Sequence, residues 1–382
     1  MKFTIGAGDL ASAAAYAAAA IAGKPQQPVL AGMKITADAD GVSFTGSDGD
    51  TAAVATEMAS VGETGDVVVP GTMFAGITKG LPPGGQVTLT AQGTTLLLEY
   101  GRGEYELVTL DTGLYPEPPA PAQPAGRAPA DLLATAVSRA EIAVARDDAI
   151  MALTAIQMIV DENEITFNST NRYRFVQASL AWSADTDTVR DIRPALIPAR
   201  ILPALMKAVP AEKEMSVGVT PAGMVTFAGP GRSLTCRVTA DDGFPVAGRQ
   251  FGKYVPVATA VTDRKALQDA AARVSAVLSG REDRLKPVRL EFIPGQVRVS
   301  AGGANSGSET IYAELDGEPQ DWPAFRPEYL QQVLEAAGTE KIALGFTAPR
   351  QPVLVTDGAQ GKAPGSSFRF LVMPQFDLEP QS

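Results

Sequence analysis

The sequence predicts an α+β protein made of three repeated domains, each with two helices on antiparallel sheets. A Pro-x-x-apolar-x-x-x-apolar signature recurs at intervals of 128 and 129 residues, starting at Pro70, Pro198 and Pro327. An apolar residue followed by proline recurs at intervals of 129 residues, as Tyr115-Pro116, Phe244-Pro245 and Met373-Pro374. Solenoid units span roughly 20–50 residues, and the period found here is much longer. It therefore indicates repetition of a whole domain. We therefore place the domains at residues 1–126, 127–252 and 253–382.

The first repeat alternates strands and helices in an order that the other two repeats share. Apolar alternation and glycine-containing turns define its strands as Lys2–Ile5, Val29–Thr36, Val42–Thr45, Val87–Thr90, Thr94–Tyr100 and Glu104–Leu110. The first helix, Asp9–Ile21, follows from alanine propensity and apolar spacing. The second helix, Thr72–Lys79, begins after Pro70 and ends before Gly80.

The second and third repeats carry the same signals. Their helices are Asp131–Arg146, Pro198–Val209, Asp263–Leu278 and Arg326–Ala337. The strands of the second repeat are Leu153–Val160, Glu164–Asn168, Met215–Val219, Met224–Ala228 and Ser233–Val238. The proline- and alanine-rich stretch Glu117–Pro129 is typical of an extended linker, and Phe251–Val257 forms the second junction.

Composition indicates a globular protein with a substantial core, since apolar residues make up 45% of the chain and charged residues 20%. No apolar run reaches the length of about 18 residues that a membrane span needs. The alanine-rich stretch Ala11–Ala22 fits an amphipathic helix better than a signal peptide, because Asp9 precedes it and basic residues are scarce. The single cysteine, Cys236, fits a reducing compartment, so we expect a cytoplasmic protein.

The absence of histidine limits the chemistry that the chain can perform. It excludes a Ser-His-Asp triad, a Cys-His pair and a His-ligated metal, and a single cysteine excludes thiolate metal sites. No acidic pair stands out among the 43 acidic residues, so we expect no metal, no cofactor and no catalysis. The net charge of −11 argues against a protein coated by a basic surface, but it allows cations concentrated on one internal face.

Nine short motifs, spread in order over nearly the whole chain, are specific as a set although each alone is weak. They are Met1-Lys2-Phe3, Gly23-Lys24-Pro25 with Pro28-Val29-Leu30, Gly80-Leu81-Pro82, Arg146-Asp147-Asp148, Leu153-Thr154-Ala155, Ser169-Thr170-Asn171-Arg172-Tyr173-Arg174-Phe175, Gly243-Phe244-Pro245, Pro287-Val288-Arg289-Leu290 and Leu371-Val372-Met373-Pro374. In these motifs the chain resembles the bacterial DNA polymerase III β subunits, the sliding clamps, and the actinobacterial members fit best.

The resemblance implies a non-catalytic processivity factor: a head-to-tail homodimer whose six domains form a ring around duplex DNA, without sequence preference. It implies that Glu104–Leu110 of one subunit pairs with Glu309–Leu315 of the other, which would cover two strand edges. The implied partners are the DNA polymerase III catalytic subunit, the clamp loader, and other polymerases and repair proteins with clamp-binding peptides.

The resemblance also assigns two sets of residues. The cations expected to face the DNA are Lys24, Lys79, Arg139, Arg146, Arg200, Lys207 and Arg273. The residues expected to form an apolar peptide pocket are Leu153, Thr170, Arg172, Tyr173, Arg174, Phe175, Pro245, Gln250, Pro352, Leu371 and Met373. Within the pocket set two features depart from the family: Asn171-Arg172-Tyr173 replaces Asp-Gly-His, and Gln250 stands where an apolar residue is usual.

Two alternatives remain open at this point. The chain could be a divergent paralogue that substitutes for the main clamp when a peptide antibiotic blocks the pocket, which would link it to antibiotic resistance. An enzyme on a triplicated scaffold is disfavoured by the lack of a catalytic constellation. The tail 375–382 contains Gln375-Phe376-Asp377-Leu378, which resembles a clamp-binding peptide. Two interpretations of this tail remain: it shields a peptide pocket, or it is an unstructured extension.

Overall fold

The computed structural model describes residues 1–382 except 22, 24, 26, 147–149, 185–192, 210–212, 221–222, 241–242, 279–285, 303–304, 319–321, 358–365 and 376–382. The α-helices of the described residues are α1 (Ala7–Ala18), α2 (Gly71–Lys79), α3 (Ala130–Glu141), α4 (Leu202–Ala208), α5 (Ala247–Gly252), α6 (Arg264–Ser275) and α7 (Pro327–Ala336). In the same described ranges, Pro28–Ala31, Thr112–Leu114 and Met151–Thr154 form short 3-10 helices. No helix among the described residues combines the length and apolarity needed to cross a bilayer.

The strands are numbered in chain order. The first fourteen are β1 (Lys2–Gly6), β2 (Gly32–Asp38), β3 (Gly41–Ser47), β4 (Thr51–Glu57), β5 (Ser60–Glu63), β6 (Gly65–Pro70), β7 (Gln86–Gln92), β8 (Thr95–Tyr100), β9 (Gly103–Val108), β10 (Pro124–Pro129), β11 (Ala155–Val160), β12 (Glu164–Thr170), β13 (Arg174–Ala181) and β14 (Ser183–Ala184). The others are β15 (Ala195–Pro198), β16 (Glu214–Thr220), β17 (Met224–Gly229), β18 (Arg232–Arg237), β19 (Thr239–Ala240), β20 (Ala258–Asp263), β21 (Val288–Ile293), β22 (Gln296–Gly302), β23 (Ser306–Asp316), β24 (Ala324–Phe325), β25 (Lys341–Phe346), β26 (Val353–Asp357) and β27 (Ser366–Val372).

The chain divides into two compact units. Unit 1 comprises Met1–Ala134, Asp161–Asn163 and Trp182–Ala240, and unit 2 comprises Thr135–Val160, Glu164–Ala181 and Asp241–Ser382. Each unit therefore combines segments from two of the three predicted domains. The predicted boundaries at residues 126 and 252 stay a prediction.

Unit 1 contains a five-stranded sheet, β5-β1-β7-β8-β9, and a nine-stranded sheet, β14-β10-β16-β17-β18-β4-β3-β2-β6. In the larger sheet β18 pairs antiparallel with β4, with Ser233 opposite Val54, so strands from two repeats share one sheet. Helix α1 packs on β3 and β4 through a buried apolar face that includes Leu10. Gly46 permits this contact, because a Cβ there would lie 1.9 Å from the carbonyl oxygen of Ala17.

The strands of unit 2 follow one another in the order β11-β12-β13-β27-β26-β25-β20-β23-β22-β21-β24. Here β13 from the second repeat pairs antiparallel with β27 from the third, and Phe175 lies opposite Leu371. Helix α6 packs on α7, β22 and β23 with Leu267 and Val274 buried. The predicted α+β architecture with antiparallel sheets is confirmed.

Several predicted element boundaries were wrong. The proline-rich stretch predicted as a linker ends in β10, which lies between β14 and β16, and Pro124 and Pro129 occupy its two ends, where a missing N–H disturbs the sheet least. The predicted helix 198–209 is shorter, because Ala195–Pro198 is a strand and the helix begins at Leu202. The predicted second junction begins inside α5, where Phe251 is buried.

Candidate functional site

A rigid hairpin turn between β12 and β13 forms one side of the candidate site. The side chain of Asn171 accepts hydrogen bonds through Oδ1 from the backbone N–H of Tyr173 (3.2 Å) and of Arg174 (3.0 Å). The hydroxyl of Thr170 donates to the carbonyl of Arg174 over 2.7 Å. Arg172 takes a positive φ of 74°, a conformation that such side-chain hydrogen bonds help to stabilise. The turn thus holds the Tyr173 side chain 59% exposed.

Beside this turn lies a buried aromatic cluster. The Phe175 ring meets Phe244 at a centroid distance of 6.1 Å and Phe251 at 5.6 Å, both in edge-on geometry, which is favourable for aromatic pairs. Leu371 lies opposite Phe175 on one side and Leu354 on the other. The backbone N–H of Met373 donates to the carbonyl of Tyr173 over 2.8 Å, so the end of β27 is fixed to the turn.

The structure thus brings together Thr170, Arg172, Tyr173, Phe175, Leu371 and Met373, which we call the candidate pocket. Leu153 and Pro352 are buried in the same unit, Pro245 is half-buried next to Phe244, and Gln250 is half-buried in α5. Two further residues were not predicted: the exposed Val246, which directly follows the Phe-Pro signature, and the buried Phe251 in α5. An apolar cluster next to fixed polar backbone groups is the arrangement that binds short peptides.

The side chain of Arg174, at the end of the turn, contacts helix α7. Its side chain is buried, with the guanidinium carbon 4.1 Å from the centre of the Tyr329 ring and Nη1 donating to Gln332. Burial lowers the pKa of Arg174, and the Tyr329 and Glu328 side chains oppose this effect. We therefore assign Arg174 to positioning of the turn.

An additional cation, which the sequence did not reveal, covers the aromatic cluster. The guanidinium carbon of Arg369 on β27 lies 4.3 Å from the centre of the Phe251 ring. Burial lowers the pKa of Arg369. Its position depends on pairing between β13 and β27, which no local sequence pattern shows.

The cations expected to face DNA fall into distinct classes. Lys79, Arg146 and Lys207 are exposed, and within the described part of the chain no ion pair engages them. Arg200 pairs with Asp48, and Arg273 pairs with Glu309. Lys24 lies outside the described residues.

The prediction for Arg139 was wrong, because its side chain is only 3% exposed. Its Nη2 lies 3.6 Å from the buried carboxylate of Asp357, and its Nε donates to the carbonyl of Ala336 over 3.0 Å. Gly338 leaves room for the guanidinium, since a Cβ there would lie 2.5 Å from Nη2. Arg139 therefore connects α3 to β26 and α7 and is not available to a phosphate.

Two strand edges that the sequence assigned to subunit contact are open in the described structure. The first edge belongs to β9, which is the last strand of its sheet. The second belongs to β23: its residues 306–312 pair with β22 on one side only, because β20 on the other side pairs only with residues 313–316. On β9, the N–H of Thr109 donates to Thr94, so strand alternation directs the N–H groups of Glu104 and Glu106 away from β8. Both edges can accept a further strand.

Comparisons with known proteins agree along the whole chain. Family models of the DNA polymerase III beta subunit match its N-terminal domain at residues 1–119, its central domain at 127–246 and its C-terminal domain at 256–370. The beta sliding clamp of Micrococcus luteus is 33% identical over 83% of this chain and 100% of its own length. That of Streptomyces coelicolor is 28% identical over 98% and 99%. The sliding clamp structure from Bacillus subtilis superposes with a TM-score of 0.84 at 24% identity, covering 98% of this chain and 99% of that one.

These matches confirm the resemblance found in the sequence motifs and the threefold repeat. The chain belongs to the DNA polymerase III β subunit family, the sliding clamps.

Proposed function

We propose that two copies of this chain close head to tail around duplex DNA and tether polymerases through the candidate pocket, without catalysis. The observation that carries this proposal is the presence of two open strand edges, on β9 and β23, in a chain of three clamp domains. Pairing β9 of one copy with β23 of the next gives a head-to-tail contact, and such contacts form a ring when the rotation between copies closes, here with two copies by the proposal. A ring holds DNA by topology, so few phosphate contacts suffice.

The partners that fit this proposal are the DNA polymerase III catalytic subunit, the clamp loader and repair proteins with short Gln- and Leu-Phe-containing peptides. All of them would meet this chain in the cytoplasm. An apolar peptide end would contact the Phe175 cluster, and its backbone would meet the fixed turn at Tyr173. The test combines light scattering with primer extension on circular primed DNA. We expect a species of twice the chain mass and long products that require this protein; a monomer that gives no longer products would contradict the proposal.

Freeing Arg200 should strengthen DNA binding. Asp48→Asn keeps the Oδ1 that accepts from Thr51 N–H over 2.7 Å but removes the negative charge that neutralises Arg200. One additional phosphate contact should steepen the dependence of log affinity on log salt by about 0.9. Anisotropy of a labelled duplex with open ends measures this slope. The matched control is Asp50→Asn, which releases Arg237 instead; equal slopes in both variants would exclude Arg200 from the DNA-facing surface.

Gln250→Val should improve peptide binding, because docking of an apolar side chain leaves the half-buried Gln250 amide without water. We expect roughly five- to tenfold tighter binding of a Gln- and Leu-Phe-containing peptide, measured by fluorescence polarisation. Gln296→Val, an exposed position on β22, is the control. An unchanged Kd would place Gln250 outside the peptide contact.

The paralogue interpretation stays a prediction. The chain is 28% identical to the Streptomyces coelicolor clamp and also 28% identical to the beta sliding clamp homolog GriR of Streptomyces muensis, so identity does not separate the two roles. A sliding clamp from Pseudomonas aeruginosa bound to griselimycin shares the fold at a TM-score of 0.83. Titration of this chain with griselimycin would discriminate, since a substitute clamp should bind it weakly.

A further inference from the structure

Two arginines of unit 2 lie against the ring of Tyr329. The guanidinium carbon of Arg174 is 4.1 Å from the centre of this ring, and that of Arg326 is 5.6 Å from it. Both distances are within the range of about 6 Å over which a cation is attracted to an aromatic ring. Arg326 directly precedes α7 and is exposed, whereas Arg174 begins β13 and is only 8% exposed. One aromatic ring is therefore shared by a buried and an exposed positive charge.

The charged surroundings of Arg174 are mainly positive. Burial lowers its pKa, the Tyr329 and Glu328 side chains oppose this effect, and the nearby Arg146 adds to it. Arg146 and Glu328 are both exposed. Within the described part of the chain no carboxylate lies within ion-pair distance of Arg174 or Arg326. Three arginines are thus gathered around one acid, in a chain whose net charge is −11.

The hydrogen bonding of the buried Arg174 side chain is incomplete. Its Nη1 donates to Gln332, but its Nε is buried and has no hydrogen-bond partner among the described residues. A buried charge without a counter-charge, and a buried donor without an acceptor, both cost free energy. A carboxylate beside the Tyr329 ring would reduce the first cost by its charge. The arrangement therefore favours an anion at this place.

We propose that these arginines select partner peptides that carry an acidic residue, and that Arg326 determines this preference. The inference rests on the proposed function, because it concerns peptides that dock at the candidate pocket. A docked peptide removes water from the guanidinium groups, which strengthens their attraction to a carboxylate and their repulsion of a basic side chain. Arg326 is the exposed arginine on the Tyr329 ring, so it contacts the carboxylate directly.

The acidic residue and the apolar end of the peptide would bind on opposite faces of β13. Arg174 and Phe175 are adjacent in this strand, so their side chains leave it on opposite faces. The turn with the exposed Tyr173 lies at the end of the strand, where a peptide can pass from one face to the other. Side chains on the two faces of a sheet are about 10 Å apart, and an extended peptide advances about 3.3 Å per residue. The acidic residue would therefore lie about three positions from the apolar end.

Fluorescence polarisation with paired peptides tests this preference. Both peptides of a pair contain Gln and Leu-Phe and differ only in Asp or Asn at one position, which is moved through the residues that flank Leu-Phe. We expect about tenfold tighter binding of the Asp peptide at the favoured position, and a smaller ratio in high salt. Arg326→Gln should reduce the ratio to about threefold, and Arg326→Glu should reverse the preference. Arg298→Gln, which removes the same charge from an exposed position on β22, is the control and should leave the ratio unchanged.

A second measurement needs no docked peptide and separates this inference from the proposed function. The Nε–H signal of Arg174 is followed by NMR during titration with N-acetyl-aspartate amide, and with N-acetyl-asparagine amide as the control. We expect only the aspartate compound to shift the signal. Such a shift, together with failure of every Leu-Phe peptide to bind, would support the arginine site and contradict the proposed function. Equal Kd values for Asp and Asn peptides at every position, a preference unchanged by Arg326→Glu, or no difference between the two amides would overturn the inference.

Discussion

Replacing Glu106 with proline is expected to weaken the association of two chains by roughly 100-fold while the subunit stays folded. The N–H of Glu106 points away from β8, so a proline there removes a donor from the outer edge of β9 and keeps the pairing with β8. The lost bond and the unsatisfied carbonyl on the partner strand together cost about 2–4 kcal/mol. Light scattering over a dilution series measures the change.

Glu106→Ala is the matched control, because it removes the same side chain and retains the N–H. It should associate almost as well as the unmodified protein. If Glu106→Pro also remains a stable dimer, β9 does not form the joint, and another surface would have to close the ring. Circular dichroism confirms that the proline variant keeps its sheet content.

The second large effect concerns the buried pair of Arg139 and Asp357, whose side chains are 3% and 4% exposed. Arg139→Met leaves the Asp357 carboxylate buried without its counter-charge and should lower the free energy of unfolding of unit 2 by about 3–5 kcal/mol at neutral pH. Urea unfolding followed through Trp322, in a Trp182→Phe background, reports on this unit because Trp322 belongs to it. Arg139→Met/Asp357→Leu should recover most of the loss, since it removes both charges.

The loss in Arg139→Met should shrink as the pH falls. Burial raises the pKa of Asp357, and Arg139 opposes this effect in the native protein. Without Arg139 the folded protein holds a proton on Asp357 more tightly than the unfolded chain does. Stability of the variant is therefore highest below the unfolded pKa of about 3.9 and is lost as the pH rises through the elevated folded pKa. A loss independent of pH would show that packing, not the uncompensated charge, causes the destabilisation.

Local signals predicted the helices best. The predicted helix 326–337 is observed as Pro327–Ala336, because proline at the first turn and the apolar positions Leu330 and Leu334 are all encoded within one short segment. The strand β10 was missed, because its proline-rich composition resembles a linker and only its pairing with β16 reveals it. The local sequence of a strand does not show which distant strand it pairs with.

In the candidate site, the sequence indicated only those residues that lie within the family motifs. The motif Thr170–Phe175 lies at the turn and beside the aromatic cluster, and the structure shows which hydrogen bonds and ring contacts hold it there. Its role in peptide binding stays a prediction. The cations were less predictable, since a basic residue on a helix gives no sign of its partner. Arg139 forms a buried ion pair with Asp357, and Arg200 forms an ion pair with Asp48. Both acids belong to a different repeat from the arginine that they pair with.

The shared sheets have a consequence for how clamp genes can exchange parts. Because β4 pairs with β18 and β13 with β27, the central repeat completes its sheets with strands from both neighbours. A hybrid protein that takes only residues 127–252 from a relative must reproduce backbone register and side-chain fit at two foreign pairings. Recombination within this family should therefore succeed at surface turns inside a repeat more readily than at the repeat boundaries, and an isolated central repeat should aggregate through its uncovered strands.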